Sequence, residues 1–374
     1  TFAEVGNVCF TDPHTVQPEK GPAIQGQKLV LCVGGSARRL ALPGAEHTLT
    51  HSDVWAMKAL PQAVAIVGGG ATGCQLASIF EAFGSQVTMI DIAPRILISE
   101  DLLVSETVAR EFRSRGITLI TGIEKVERVE DDGETKRLIY RHDGEEQSLP
   151  AQAIILSVGW PGNVDQLNLP AAGVEVERSY VKVNEYLQSS APHIYAAGDV
   201  TGRMMLVQSA SYQARIAVEN ALLGPQRKAE HRLVPHGGFT DPEYGSVGLT
   251  EEAARQDRDV RVAVVPYADM DRAVIDGHAV GFCKLIVDRG SHLIVGAHVV
   301  GEQAVEIVQM VSMGMAGGLK IELLADLELA YPTFAAIIGL AARQLARDLG
   351  AVTVALEWPA LKKIRGAEWE RKNK

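Results

Sequence analysis

Between 61 and 160 the sequence alternates short apolar runs with helical patterns, and this alternation predicts an α/β fold with a Rossmann-like parallel sheet. A glycine-rich turn directly after the first apolar run supports the same reading, because such sheets carry a tight strand-to-helix connection there. From about 233 the texture changes to antiparallel strands followed by helices, which predicts a separate C-terminal α+β domain.

Taken in order, residues 1–50 read as short strands and turns, with "GQKLVLCVGG" a buried strand running into glycines and "LPGAEHTLTHSD" a Pro-Gly loop. "AVAIV", "QVTMI", "ITLIT" and "AIILSVG" are the sheet strands, with helices after the first two. "HIYAAGDV" is a further strand, followed by a helical run from Met205 to Leu223. "GPQRKAEHR" is a polar linker, and "GFCKLIVDRGSHLIVGAHVV" is a hairpin turning at "DRGS". Two helical segments follow, and the tail "LKKIRGAEWERKNK" is expected to be solvated. The stripe Phe334, Ile337, Ile338, Ala341, Leu345 and Leu349 suits either a domain core or a subunit interface.

The bulk properties narrow the function. The 374 residues suit two or three domains, and 47% hydrophobic with 22% charged residues is an ordinary globular balance. A net charge of −10 argues against nucleic acid or an anionic membrane as main partner. No apolar run reaches the ~18 residues of a membrane span. The four cysteines, Cys9, Cys32, Cys74 and Cys283, form no C-x-x-C pair, so buried apolar roles and a reducing, cytoplasmic setting are expected. His292 and His298 have no partner at ligand spacing, and no metal site is expected.

Gly68-x-Gly70-x-x-Gly73 follows the strand Ala63–Val67 and precedes Leu76, Ile79, Phe80 and Phe83 at helical spacing. Gly68 permits the tight turn, Gly70 lets backbone approach a pyrophosphate, and Gly73 lets helix pack closely on strand. The helix N-terminus then faces the phosphates with free N–H groups. Asp91 closes the next strand, where a carboxylate binds ribose hydroxyls and repels a 2′-phosphate. NAD is therefore favoured over NADP, with Arg95 nearby as the counter-indication. Asp199, after "HIYAAG", is either a turn residue or a carboxylate placed to bind sugar-alcohol hydroxyls before a helix N-terminus.

These blocks, in this order, resemble the pyridine nucleotide-disulfide oxidoreductases, flavoproteins that include dihydrolipoamide dehydrogenase, glutathione reductase and mercuric reductase. "LCVGGSARRLALPG" is similar to the A-T-G-S…P-G segment, "VAIVGGGATG" to the nicotinamide-site loop, and "AIILSVGWPGN" to the strand and G-R-x-P-N turn, with Trp160 for Arg. "HIYAAGDV" matches the flavin motif, and "GFTDPEYGSVGLTEEAA" resembles the opening of the interface domain. The resemblance implies a Rossmann-like NAD domain (61–160) inserted in an FAD domain (1–60 and 161–228), plus a dimerisation domain (229–374). It implies that Asp199 binds the FAD ribityl chain and that Met205, Leu206, Val207 and Gln208 lie against the isoalloxazine edge. It further implies that Gly68, Gly70, Gly73 and Asp91 hold NAD, with Val126 and Gly159 lining the adenine and nicotinamide ends. A homodimer in which this domain completes the partner's active site is implied too.

The chain departs from the pattern in three places. The family's FAD glycine loop and C-x-x-x-x-C pair have no counterpart, so the chain is expected to be cut from a longer protein and to hold little flavin alone. Gln75 stands where a Glu usually pairs with a flavin-side Lys. "LAYPTFAAII" stands where disulfide reductases have H-P-T-x-x-E, so Tyr331 replaces the acid–base His and Ala336 the Glu that orients it. Tyrosine, with a pKa of about 10, is a poor proton acceptor near neutrality. Mercuric reductases share that tyrosine, though they usually end in a cysteine pair, and no cysteine follows Cys283. The expected function is an FAD-dependent NAD(P)H oxidoreductase whose acceptor is a metal ion or other non-lipoamide electrophile, with Tyr331 catalytic; simple packing under a dimer interface is the other role open to Tyr331. The alternatives are a dihydrolipoamide dehydrogenase homologue and a dinucleotide-binding remnant without flavin catalysis.

Overall fold

The computed structural model describes residues 5–351, so the basic tail at 361–374 lies outside the described residues. The described residues form two compact units, one of residues 5–38 and 158–232, the other of 39–157 and 233–351. The chain enters the first unit with β1 (Val8–Asp12), β2 (Thr15–Pro18), β3 (Ile24–Gln25) and β4 (Leu29–Leu31). In the second unit follow β5 (Leu49–Thr50), α1 (His51–Val54), β6 (Ala63–Val67), α2 (Ala71–Ala82), β7 (Gln86–Asp91), α3 (Leu102–Ser114) and β8 (Thr118–Thr121). Next come β9 (Lys125–Asp131), β10 (Lys136–His142), β11 (Glu145–Ala151) and β12 (Ala153–Leu156). Back in the first unit are β13 (Val176–Glu177), β14 (Tyr180–Val181), β15 (Ile194–Ala196) and α4 (Val207–Leu223). The second unit ends with β16 (His236–Gly238), β17 (Tyr244–Gly248), α5 (Glu251–Asp257), β18 (Val260–Pro266), α6 (Asp271–Asp276), β19 (Phe282–Asp288), β20 (Ile294–Val300), α7 (Ala304–Ala316), α8 (Ile321–Asp326) and α9 (Ala336–Asp348).

In the first unit β1–β3 form an antiparallel sheet, and β4 pairs in parallel with β15. Its core gathers Phe10, Ile194, Tyr195, Val200 and Ile216, so α4 buries one face against the β15 strand. Ala197 N–H donates to Leu31 O at 3.0 Å, which carries the pairing up to the Gly198–Asp199 turn.

In the second unit five strands pair in parallel in the order β5-β12-β6-β7-β8, as the alternation of strand and helix predicts. Their apolar side chains, with Leu76 and Phe80 of α2 and Val108 and Phe112 of α3, form one core. The antiparallel meander β9-β10-β11 is not legible in the sequence, because "KVERVED" and "KRLIYRH" carry charges that mask the alternation. A five-stranded sheet β16-β17-β20-β19-β18 carries α7 and α9. The apolar stripe packs inward here: Phe334 before α9 and Ile337, Ile338, Ala341 and Leu345 on it are buried in this core, and Leu349 just after it is partly buried against them. The interface reading of that stripe is thereby corrected, since its area is removed from water within one chain.

A polar network is buried in the same unit. Lys284 Nζ lies 2.8 Å from Asp101 Oδ1 and 2.7 Å from Glu251 Oε2, with the first two side chains almost fully buried. Glu100 accepts from Ser246 Oγ at 2.6 Å and pairs with His236 at 3.2 Å. Burial pushes the Glu100 carboxyl up, but the hydrogen bond and charge of His236, with Ser246, outweigh it and leave the carboxyl below the ordinary glutamate range. The Glu100 hydrogen bond correspondingly raises His236 against the effect of burial. Among the described residues no helix is long and apolar enough to cross a membrane.

Candidate functional site

In the second unit the glycine loop meets the tip of β7. Gly68 has φ +108, and a Cβ there would lie 2.2 Å from Ser157 O, so no other residue fits. A Cβ on Gly73 would lie 1.9 Å from Gly68 O, which is the close helix–strand packing assigned to the third glycine. Gly70 differs: its φ is −74, nothing lies within 4 Å of a Cβ, and no side chain caps the helix it starts. Space beside an uncapped N-terminus of a 12-residue helix suits an anionic phosphate.

Asp91 is brought to the loop. Its Oδ2 accepts from Gly69 N–H and its Oδ1 from Ala93 N–H at 2.7 Å. Each carboxylate oxygen can take a second bond, so ribose hydroxyls can be accepted without breaking these. Gly69 lies outside the three-glycine spacing, yet its N–H links loop to acid. Arg95 donates to the carbonyls of Leu97, Ile98 and Glu100 at 3.0, 3.0 and 3.1 Å. The cation that could have met a 2′-phosphate is thus engaged by backbone. Val126 lies on β9, three residues past Ile123, whose N–H donates to Asp91 O at 3.2 Å. Gln75, at the position of the usual Glu, accepts from Phe239 N–H at 3.3 Å.

In the first unit Asp199 opens a single 3₁₀ turn after Gly198, which has φ +80. Trp160 Nε1 donates to Asp199 Oδ2 at 2.9 Å, and Tyr180 Oη donates to Trp160 O at 2.9 Å. Gly198 N–H donates to Gln213 Oε1 at 2.7 Å, and Gln213 Nε2 donates to His231 Nε2 at 2.9 Å. Burial, then Arg203, lowers His231, which keeps the ring neutral and able to accept. Met205, Leu206, Val207 and Gln208 run into the first turn of α4, whose N-terminus no side chain caps. Ser209 Oγ in that turn is buried without a partner. An orphaned hydroxyl, an uncapped helix and a carboxylate fit a polyhydroxylated cofactor with polar ring edges. Gly159 also belongs to this unit, with φ +131 and Arg38 Nε 3.4 Å from a notional Cβ.

Tyr331, in the second unit, is mostly exposed, and its Oη donates to Asp271 Oδ2 at 2.9 Å. No spacing in the sequence links these residues. The thiols divide: Cys74 and Cys283 are buried, and burial pushes Cys283 up to about 12 and Cys74 further, so neither is a nucleophile near neutrality. Cys9 and Cys32, expected to be buried, are partly buried and exposed respectively: Leu31, the last residue of β4, faces the core, and the next side chain along the extended chain, Cys32, faces away.

The profile described as "Pyridine nucleotide-disulphide oxidoreductase" matches residues 3–214, and that of its dimerisation domain matches 234–342. The chain is 32% identical to a mercuric reductase of Staphylococcus aureus, over 92% of this chain and 63% of that protein. It is 32% identical to a dihydrolipoyl dehydrogenase of Chlorobaculum tepidum, over 89% of this chain and 72% of that protein. The HOCl-induced flavoprotein disulfide reductase RclA of Escherichia coli superposes with a TM-score of 0.84 at 28% identity, covering 90% of this chain and 78% of that one. The chain therefore spans about 63% of the length of the mercuric reductase it matches.

Proposed function

The chain belongs to the pyridine nucleotide-disulphide oxidoreductase family, and from that premise we propose that it serves an FAD-dependent NADH oxidoreductase acting as a homodimer in a reducing, cytoplasmic setting. The observation that carries the nucleotide choice is Asp91 at the glycine loop with Arg95 engaged elsewhere. Gly68, Gly70 and Gly73 hold the pyrophosphate, and Val126 lines the adenine end of the dinucleotide. Asp199 binds the ribityl chain, and residues 205–208 present the start of α4 to the flavin ring. Bound flavin and nicotinamide supply the hydride chemistry, while the chain supplies orientation and electrostatics.

Tyr331 touches the electron acceptor. It stands where a thiol-handling site needs a histidine base, so the acceptor class is a metal ion or another electrophile rather than a dithiol. The mercuric reductases among the relatives support that class, and the dihydrolipoyl dehydrogenases support the alternative. Titration with NADH and NADPH tests the nucleotide choice: tighter NADH binding is expected, and tighter NADPH binding overturns the role of Asp91. Turnover with dihydrolipoamide at a rate comparable to that with mercuric ion overturns the role of Tyr331.

A further inference from the structure

We propose that Asp271 is the positioning residue of Tyr331, supplying from α6 the orienting carboxylate that the segment itself lacks at Ala336. The proposal rests on the reading of Tyr331 as the residue that touches the acceptor.

An exposed tyrosine on a loop samples several rotamers, and a catalytic group needs one. Tyr331 is 66% exposed, so packing alone does not choose its rotamer. Ala336, the first residue of α9, has no side chain that could reach back to it. Asp271 is only 9% exposed and lies between Met270 and Ala273, both buried in the core. Its carboxylate is therefore a fixed point, and the 2.9 Å bond ties the phenol to it.

The next residue of α6 grips the same segment again. Arg272 lies over the ring of Phe334 at 5.8 Å, and that ring packs 5.9 Å from Tyr267 in the core. Thr333 Oγ1 donates to Ala330 O at 2.8 Å, which holds the turn between the two grips. Successive residues of one short helix thus hold positions 331 and 334, one by a polar bond and one by a ring contact.

The direction of the bond has a chemical consequence. The Tyr331 proton points at Asp271, so the phenol oxygen meets the acceptor with its lone pairs, beside a negative charge. Such a group ligates a cation or accepts from an O–H or N–H, and it repels a thiolate.

The test compares D271A, D271N, Y331F and the D271A/Y331F double variant of the FAD-loaded holoenzyme. The Raman doublet of Tyr331, isolated by subtracting the Y331F spectrum, is expected to show a strong donor that D271A abolishes and D271N, which keeps an acceptor oxygen, partly restores. With NADH and mercuric ion, D271A is expected to lower kcat/KM about 10-fold, mainly through KM, and the double variant is expected to lose no more than Y331F. An unchanged doublet in D271A, or losses that add in the double variant, overturns the proposal while the role of Tyr331 stands. If Y331F turns over mercuric ion like the unaltered protein, the role of Tyr331 falls, and this proposal with it.

Discussion

Trp160 donates its indole N–H to Asp199 at 2.9 Å, so a neutral donor holds the carboxylate where the family usually has an arginine. The indole lies so close to Gly35 that a Cβ there would sit 2.6 Å from it, which fixes the ring plane. A hydrogen bond to a charged group contributes about 1.5–3 kcal/mol, and less where solvent reaches the acceptor, as at half-buried Asp199. Trp160→Phe is expected to weaken FAD binding about 5-fold, read by quenching of flavin fluorescence, with NADH binding unchanged.

Gly70 and Gly73 separate ligand approach from packing. Gly70→Ala meets open space, so it is expected to keep the parent Tm and lose NADH affinity by about 10-fold or more. Gly73→Ala drives a methyl into Gly68 O and is expected to lower Tm markedly whether or not nucleotide is present. Equal NADH affinity for Gly70→Ala and the parent would place the pyrophosphate elsewhere.

Lys284 compensates the buried carboxylate of Asp101 and the partly exposed one of Glu251 in the second unit. Lys284→Met leaves Asp101 buried without its cation, and breaking such a pair costs about 3–5 kcal/mol. Denaturant unfolding is expected to show that loss at neutral pH. A shift under about 1 kcal/mol would mean that water reaches the Asp101 site.

The Glu100–His236 pair sets a pH dependence with a definite sign. Glu100 is held below its ordinary value, so its contribution is complete above about pH 4.3 and is lost as pH falls through its depressed value. His236 is held above its ordinary value, so its contribution is complete below about pH 6.5 and is lost as pH rises through its raised value. His236→Gln removes the charge that outweighs burial at Glu100. Acid unfolding of that variant is therefore expected to begin at higher pH than in the parent, by Tm measured across an acid series.

The sequence by itself determined what local pattern can encode. Strand, glycine turn and amphipathic helix are contiguous, so the parallel sheet, the Gly68 loop and Asp91 at the strand tip are all legible in the order of residues alone. The turn at Asp199 and the start of α4 are legible for the same reason. Tertiary structure alone decided where long-range partners lie. It set Trp160 against Asp199, 39 residues away, and turned the apolar stripe around α9 into core. It also gave Tyr331 a carboxylate from α6, which no periodicity in "LAYPTFAAII" could announce. Hydrogen bonds between side chains far apart in sequence leave no spacing to read, because their closure entropy is offset only when the whole core forms.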